Sequence, residues 1–128
     1  MTVRETMKTN LVVVRADTPL VEAAELLIEH RITGLPVVDV DHRLVGVITE
    51  MDLIRMVGEP HRNWTTVGEL MTPNPVTLDA GDPLHEAFDC LMTHSFRRVL
   101  VVENGKLVGL VSRTDLLPEI LEQLKHPR

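Results

Sequence analysis

The apolar positions of this 128-residue chain fall into short blocks that alternate between strand-like and helix-like spacing. Leu11-Val12-Val13-Val14 is a β-branched run ending at the turn-prone Asp17-Thr18-Pro19, which predicts a buried strand. Leu20, Ala23, Ala24, Leu27 and Ile28 then recur at helical spacing up to His30, with Thr18 as the expected N-cap and Pro19 at the first helical position. Gly34 introduces Leu35-Pro36-Val37-Val38, and a turn from Asp39 to His42 leads into Leu44-Val45-Gly46-Val47-Ile48, a predicted hairpin. Thr49 caps a helix from Glu50 to Val57 that stops before Gly58 and Pro60.

The same pattern then returns. Val3–Asp39 overlays Val67–Glu103 at an offset of 64, Arg43–Leu53 overlays Lys106–Leu116 at 63, and 19 of the 48 aligned pairs are identical. The second copy runs through Val76-Thr77-Leu78, a helix from Pro83 to His94, Val99–Val102, the strong hairpin signal Asn104-Gly105, Leu107–Val111 and a helix from Thr114 to Leu124. Residues 1–58 form repeat 1, 59–66 a linker that matches nothing in the repeat, and 67–128 repeat 2. The predicted class is α/β (α+β): two β-α-β-β-α units packed with pseudo-two-fold symmetry, each covering apolar surface that about 60 residues alone cover poorly. Function is expected in the clefts between the copies.

Composition narrows the function. A net charge of −6 and a pI near 5.4 leave no basic stripe for a phosphate backbone, and two Phe, one Trp and no Tyr give little to stack bases on, so nucleic-acid binding is not expected. Cys90 stands alone, which excludes an internal disulfide and suits a reducing cytoplasm. No apolar run approaches the roughly 18 residues of a membrane span, and the N-terminus carries no signal core, so a soluble, cytoplasmic protein is expected. The six histidines bring no third ligand near Cys90 and His94, and no metal site is expected; Met51 and Met56 read as packing residues. Nucleophile motifs, a Walker loop and a positioned acid–base pair are missing from the sequence, which argues against an enzyme.

What remains is a feature present in both copies. After the last strand of each comes a hydroxyl residue and, three positions on, an aspartate: Thr49-Glu50-Met51-Asp52 and Ser112-Arg113-Thr114-Asp115. Such a pair is either a capping box, satisfying backbone donors, or a carboxylate able to accept the vicinal hydroxyls of a ribose beside anion-favouring N–H groups. Arg97-Arg98 precedes the second strand of the second copy where the first has Thr33-Gly34; it is either a solvated strand edge or a phosphate fork.

With Met7, Thr18-Pro19-Leu20, Gly34–Asp39 and Leu44–Leu53, echoed by Met71, Asp82-Pro83-Leu84, Arg97–Glu103 and Leu107–Leu116, nearly the whole chain resembles the cystathionine-β-synthase (CBS) domain family. Leu100 departs from it, standing where the family has a proline. The resemblance implies a free-standing tandem pair, a Bateman module, whose clefts bind AMP, ADP, ATP or S-adenosylmethionine, with no required cofactor. One cleft would use Ser112 and Asp115 with Met7, Val12, Thr33, Leu35 and Pro36; the other Thr49 and Asp52 with Met71, Val76 and Val99. Arg97 and Arg98 would reach phosphates and favour a phosphorylated ligand in the Asp115 cleft. It further implies a homodimer that signals to a regulated partner protein; the alternative is a structural or dimerisation module without a physiological nucleotide.

Overall fold

The computed structural model describes residues 1–59, 63–94 and 96–127, so residues 60–62 of the expected linker lie outside the described residues. The chain divides into two compact units: Val12–Pro75, the Asp52 unit, and Met1–Leu11 with Val76–Arg128, the Asp115 unit.

The Asp52 unit contains helix α1 (Leu20–His30), strands β1 (Gly34–Val38) and β2 (Leu44–Thr49), helices α2 (Glu50–Val57) and α3 (Val67–Leu70), and the short strand β3 (Thr72–Pro73). Its sheet is ordered β1-β2-β3 and is antiparallel throughout. Helix α1 buries Leu20, Ala23 and Leu27 on one face against Leu35 and Val37 of β1 and Ile48 of β2. The hairpin and α2 match the sequence pattern, with Thr49 capping α2 by accepting from the Asp52 N–H.

The Asp115 unit opens with a 3₁₀ turn (Val3–Glu5) and continues through β4 (Thr77–Asp79), α4 (Leu84–His94), β5 (Arg98–Glu103), β6 (Lys106–Ser112), a second 3₁₀ turn (Arg113–Leu116) and α5 (Leu117–Lys125). Here β4 runs parallel to β5, and β5 antiparallel to β6. Asn104 and Gly105 both take positive φ, 53° and 78°, the backbone that a tight right-twisted hairpin requires. Leu84, Ala87 and Leu91 of α4 repeat the buried spacing of α1 against Leu78, Val99, Val101 and Val111.

Four expectations change. The strand expected at Leu11–Val14 shrinks to a single parallel bridge between Val14 and Val37. The Val14 N–H donates to Pro36 O and the Val38 N–H to Val14 O, but Pro36 has no N–H to extend the ladder. In the second copy Leu100 stands at that place, and Thr77–Asp79 pair fully with Leu100–Val102. Thr18 does not cap α1: its hydroxyl accepts from the Arg15 N–H at 3.0 Å, and Pro19 takes the N-cap position. The last helix is broken into the 3₁₀ turn and α5, because Pro118, within the first turn of α5, cannot donate back along a continuous ladder. Met51 is half exposed rather than packed, whereas Met56 packs against the Asp52 core.

The first eleven residues belong with the second copy's body, and the structure gives the reason for two of the repeat's identities. Val3 is fully buried in the Asp115 core, and Lys8 and Leu110 exchange backbone hydrogen bonds of 2.8 and 3.0 Å along β6. A side chain on Gly109 would meet Met7 Cγ at 2.8 Å and Lys8 O at 3.0 Å; on Gly46 it would meet Met71 Sδ at 2.7 Å and Thr72 O at 2.9 Å. Glycine in the Leu-Val-Gly strand and the repeated methionine are therefore one packing device, which lets a segment lie directly on the strand edge.

Candidate functional site

Both hydroxyl-x-x-aspartate motifs sit where the last strand of the unit hands over to a helical turn. Their carboxylates are held alike. Asp52 Oδ2 accepts from the Thr49 N–H at 2.9 Å and the Thr49 hydroxyl at 3.1 Å; Asp115 Oδ2 accepts from the Ser112 N–H at 2.7 Å and the Ser112 hydroxyl at 2.8 Å. The capping-box reading is thus realised for one oxygen of each carboxylate. The other oxygen looks elsewhere. Asp52 Oδ1 accepts from the Thr72 hydroxyl at 3.3 Å and lies 3.8 Å from Arg55 Nη1, while Asp115 Oδ1 lies 3.5 Å from Lys8 Nζ.

Thr72 and Lys8 occupy matched positions, each directly after the repeated methionine. They were not singled out by the sequence pattern, although a mismatch next to an identity shared by both copies is the signal that marks them. A carboxylate offers about four lone-pair sites, so an anchored Oδ2 leaves Oδ1 with acceptor capacity for hydroxyl donors. Asp52 is the one charged side chain buried among the described residues, at 5% exposure. A carboxylate held this firmly has a fixed orientation.

The strand ahead completes each junction. Gly34 pairs with Thr49 and Arg98 with Ser112, and the Glu50 and Arg113 N–H groups donate to Thr33 O and Arg97 O at 2.9 and 3.0 Å. Arg97 is exposed and Arg98, opposite Ser112 at the start of β5, is half-buried. Arg113, within the motif itself, adds a cation whose Nε donates to Phe96 O at 2.9 Å.

The units divide the remaining candidates. Met7, Val76 and Val99 share the Asp115 unit, whereas Val12, Thr33, Leu35, Pro36 and Met71 share the Asp52 unit. Leu35 and Val99 are core side chains at 0% and 2% exposure, so only their backbone can meet a ligand. Among the described residues no group of three or more His, Cys, Asp or Glu is gathered to hold a metal ion, and no helix is long and apolar enough to cross a membrane. Burial raises the Cys90 thiol above its ordinary value, away from the nucleophilic thiolate.

Two α+β repeats, each carrying a strand, a hydroxyl residue and an anchored aspartate in the same order, define a tandem-repeat module. The CBS domain model matches residues 3–59 and 67–122, and the chain belongs to that family. Among similar proteins is the chloroplastic CBS domain-containing protein CBSX1 of Arabidopsis thaliana, 34% identical over 91% of this chain and 62% of that protein. The chain thus spans about three fifths of that relative's length. A crystal structure of CBSX2 in complex with AMP superposes with a TM-score of 0.85 at 36% identity, covering 98% of each chain. The CBS domain pair of protein MJ0100, in complex with 5′-methylthioadenosine and S-adenosyl-L-methionine, gives 0.79 at 26% identity, covering 96% of this chain and 98% of that one.

Proposed function

We propose that this chain is a regulatory module that binds an adenosine-containing ligand at its strand-to-helix junctions and passes the bound state to a partner protein. The observation that carries the reading is the pair of carboxylates, each anchored through Oδ2 and presenting Oδ1 beside a backbone junction. Asp52 and Asp115 would accept the ribose hydroxyls, and the backbone at Thr33–Pro36 and at Val76 and Val99 would meet the base, with AMP, ADP, ATP and S-adenosylmethionine as the ligand class. The AMP, methylthioadenosine and S-adenosylmethionine held by similar CBS pairs support it. Regulation would come from differential affinity: a ligand can shift a conformational equilibrium only as far as it binds one state more tightly.

The module is not an enzyme in this reading, since its repeated geometry serves binding and the sequence carries no nucleophile motif. Exposed apolar side chains on the helices, Ile28, Ile54 and Val57 in one unit and Met92, Leu117, Leu121 and Leu124 in the other, support a homodimer and a regulated partner. The lone cysteine supports a reducing compartment such as the cytoplasm.

A second reading is a structural or dimerisation module. It is favoured by the fact that both aspartates already satisfy a helix start. Thermal unfolding with AMP, ATP and S-adenosylmethionine separates the two: ligand at 100 times its Kd stabilises a specific binder by about 2.7 kcal/mol, whereas a midpoint indifferent to all three supports the structural module. Native mass spectrometry of the protein as purified reads oligomer and retained ligand together.

A further inference from the structure

Resting on that reading, the geometry points to a division of labour: the Asp115 junction selects ligands by phosphate charge, as a nucleoside di- or triphosphate site, and Lys8 sets that selectivity. The Asp52 junction takes adenosine compounds whether or not they are phosphorylated.

Laid one on the other, the two junctions differ in charge. At the four matched positions around the anchored carboxylate the Asp52 unit has Thr33, Gly34, Glu50 and Thr72; the Asp115 unit has Arg97, Arg98, Arg113 and Lys8. All four of these differences move toward positive charge. Register and hydrogen bonds put these residues at one place: Arg98 opposite Ser112, Arg97 O bound by the Arg113 N–H, and Lys8 Nζ 3.5 Å from Asp115 Oδ1. Arg55, the cation beside Asp52 at 3.8 Å, is matched by Pro118, so the charge is redistributed as well as increased.

Lys8 differs from the arginines in what it touches. Its backbone is fixed on β6 by the two hydrogen bonds with Leu110, while its side chain is 62% exposed and long enough to turn. The ammonium shares Asp115 Oδ1, the oxygen that a ribose hydroxyl would use. A nucleoside without phosphate must compete with Lys8 and returns nothing to it. A polyphosphate offers the displaced ammonium new anionic oxygens, and each added phosphate strengthens the exchange. At the other junction the Thr72 hydroxyl donates to Asp52 Oδ1 at 3.3 Å, a neutral contact that a ribose hydroxyl replaces without any charge to rehouse.

The test is calorimetric titration of adenosine, AMP and ATP, without divalent cations, into the wild-type protein, Lys8→Thr, Lys8→Arg and Thr72→Val. All three substitutions are at accessible or half-exposed positions, and circular dichroism checks their fold. The wild type should hold ATP more tightly than adenosine at one of its sites. Lys8→Thr should cut that preference about three- to tenfold, the range for one charge-assisted contact near the surface, and should flatten the salt dependence of ATP binding. Lys8→Arg should retain the preference, and Thr72→Val should leave it intact. An ATP-to-adenosine preference unchanged in Lys8→Thr, or equal affinity for all three ligands in the wild type, overturns this inference and leaves the adenosine-binding reading standing. No binding of any of the three overturns both.

Discussion

Gly109→Ala tests the packing device that joins the opening segment to β6. The added Cβ meets Met7 Cγ at 2.8 Å and Lys8 O at 3.0 Å, and overlaps Met7 Sδ as well. The thioether can swing, but the carbonyl cannot move freely, because the Lys8 N–H and O are both hydrogen-bonded to Leu110. Overpacking of this kind costs about 1–3 kcal/mol, and the reduced freedom of the unfolded chain returns about 0.4–1 kcal/mol. A net loss of about 1–2 kcal/mol is expected, a fall in Tm of roughly 4–8 °C for a domain of this size. The assay is urea unfolding with amide hydrogen exchange at Lys8 and Leu110, whose protection should drop together. Gly109→Ala combined with Met7→Ala should recover part of the loss, leaving the share due to the carbonyl. A variant as stable as wild type, with both amides still protected, would refute the claim that the glycine exists to admit the segment.

Asp52→Ala removes the acceptor for the Thr49 N–H, the Thr49 hydroxyl and the Thr72 hydroxyl, and should cost about 1–3 kcal/mol in urea unfolding; a neutral result would mean that water replaces those bonds. Acid should destabilise the fold through three surface carboxylates. Hydrogen bonding from the Thr2 backbone lowers Glu5, the Thr66 and Thr65 hydroxyls lower Glu69, and the Arg43 backbone N–H lowers Asp39, each below its ordinary value. Depressed folded-state values make their contribution present above the ordinary carboxylate range and lost as pH falls through the folded values. Stability should therefore be level near neutrality and decline below about pH 4.5, and Glu5→Gln with Glu69→Gln should shallow that decline; an identical pH profile in the double variant would count against it.

How much of this was legible in the sequence depended on whether the deciding interaction was local. Helices α1, α2 and α4, both hairpins and the Asn104-Gly105 turn follow from spacing and turn chemistry within a few residues, and they stand where the pattern put them. The Leu11–Val14 strand did not, because its apolar pattern is intact and the missing donor lies at Pro36, in another element. Internal repetition revealed two copies but not that the opening segment of the chain packs on the second copy's strand; the identity of Gly46 with Gly109 and Met7 with Met71 carried that information without stating which partner was meant. Of the binding candidates, the paired aspartates and Arg97-Arg98 were readable because they recur or differ at matched places. Lys8 also differs at a matched place, from Thr72, but a lone lysine in a polar segment has no periodicity to single it out, and only the fold shows which carboxylate it faces.

The central claim is that Asp52 and Asp115 hold an adenosine ligand. Calorimetry of the wild type, Asp52→Ala and Asp115→Ala with AMP, ATP and S-adenosylmethionine, each variant first shown folded by circular dichroism, addresses it most directly. The wild type should give heat with at least one ligand, and each variant should lose about tenfold or more in affinity at the altered junction, the scale of a charge-assisted hydrogen bond. Wild-type protein giving no heat with any of the three, or variants binding as tightly as wild type, would contradict it.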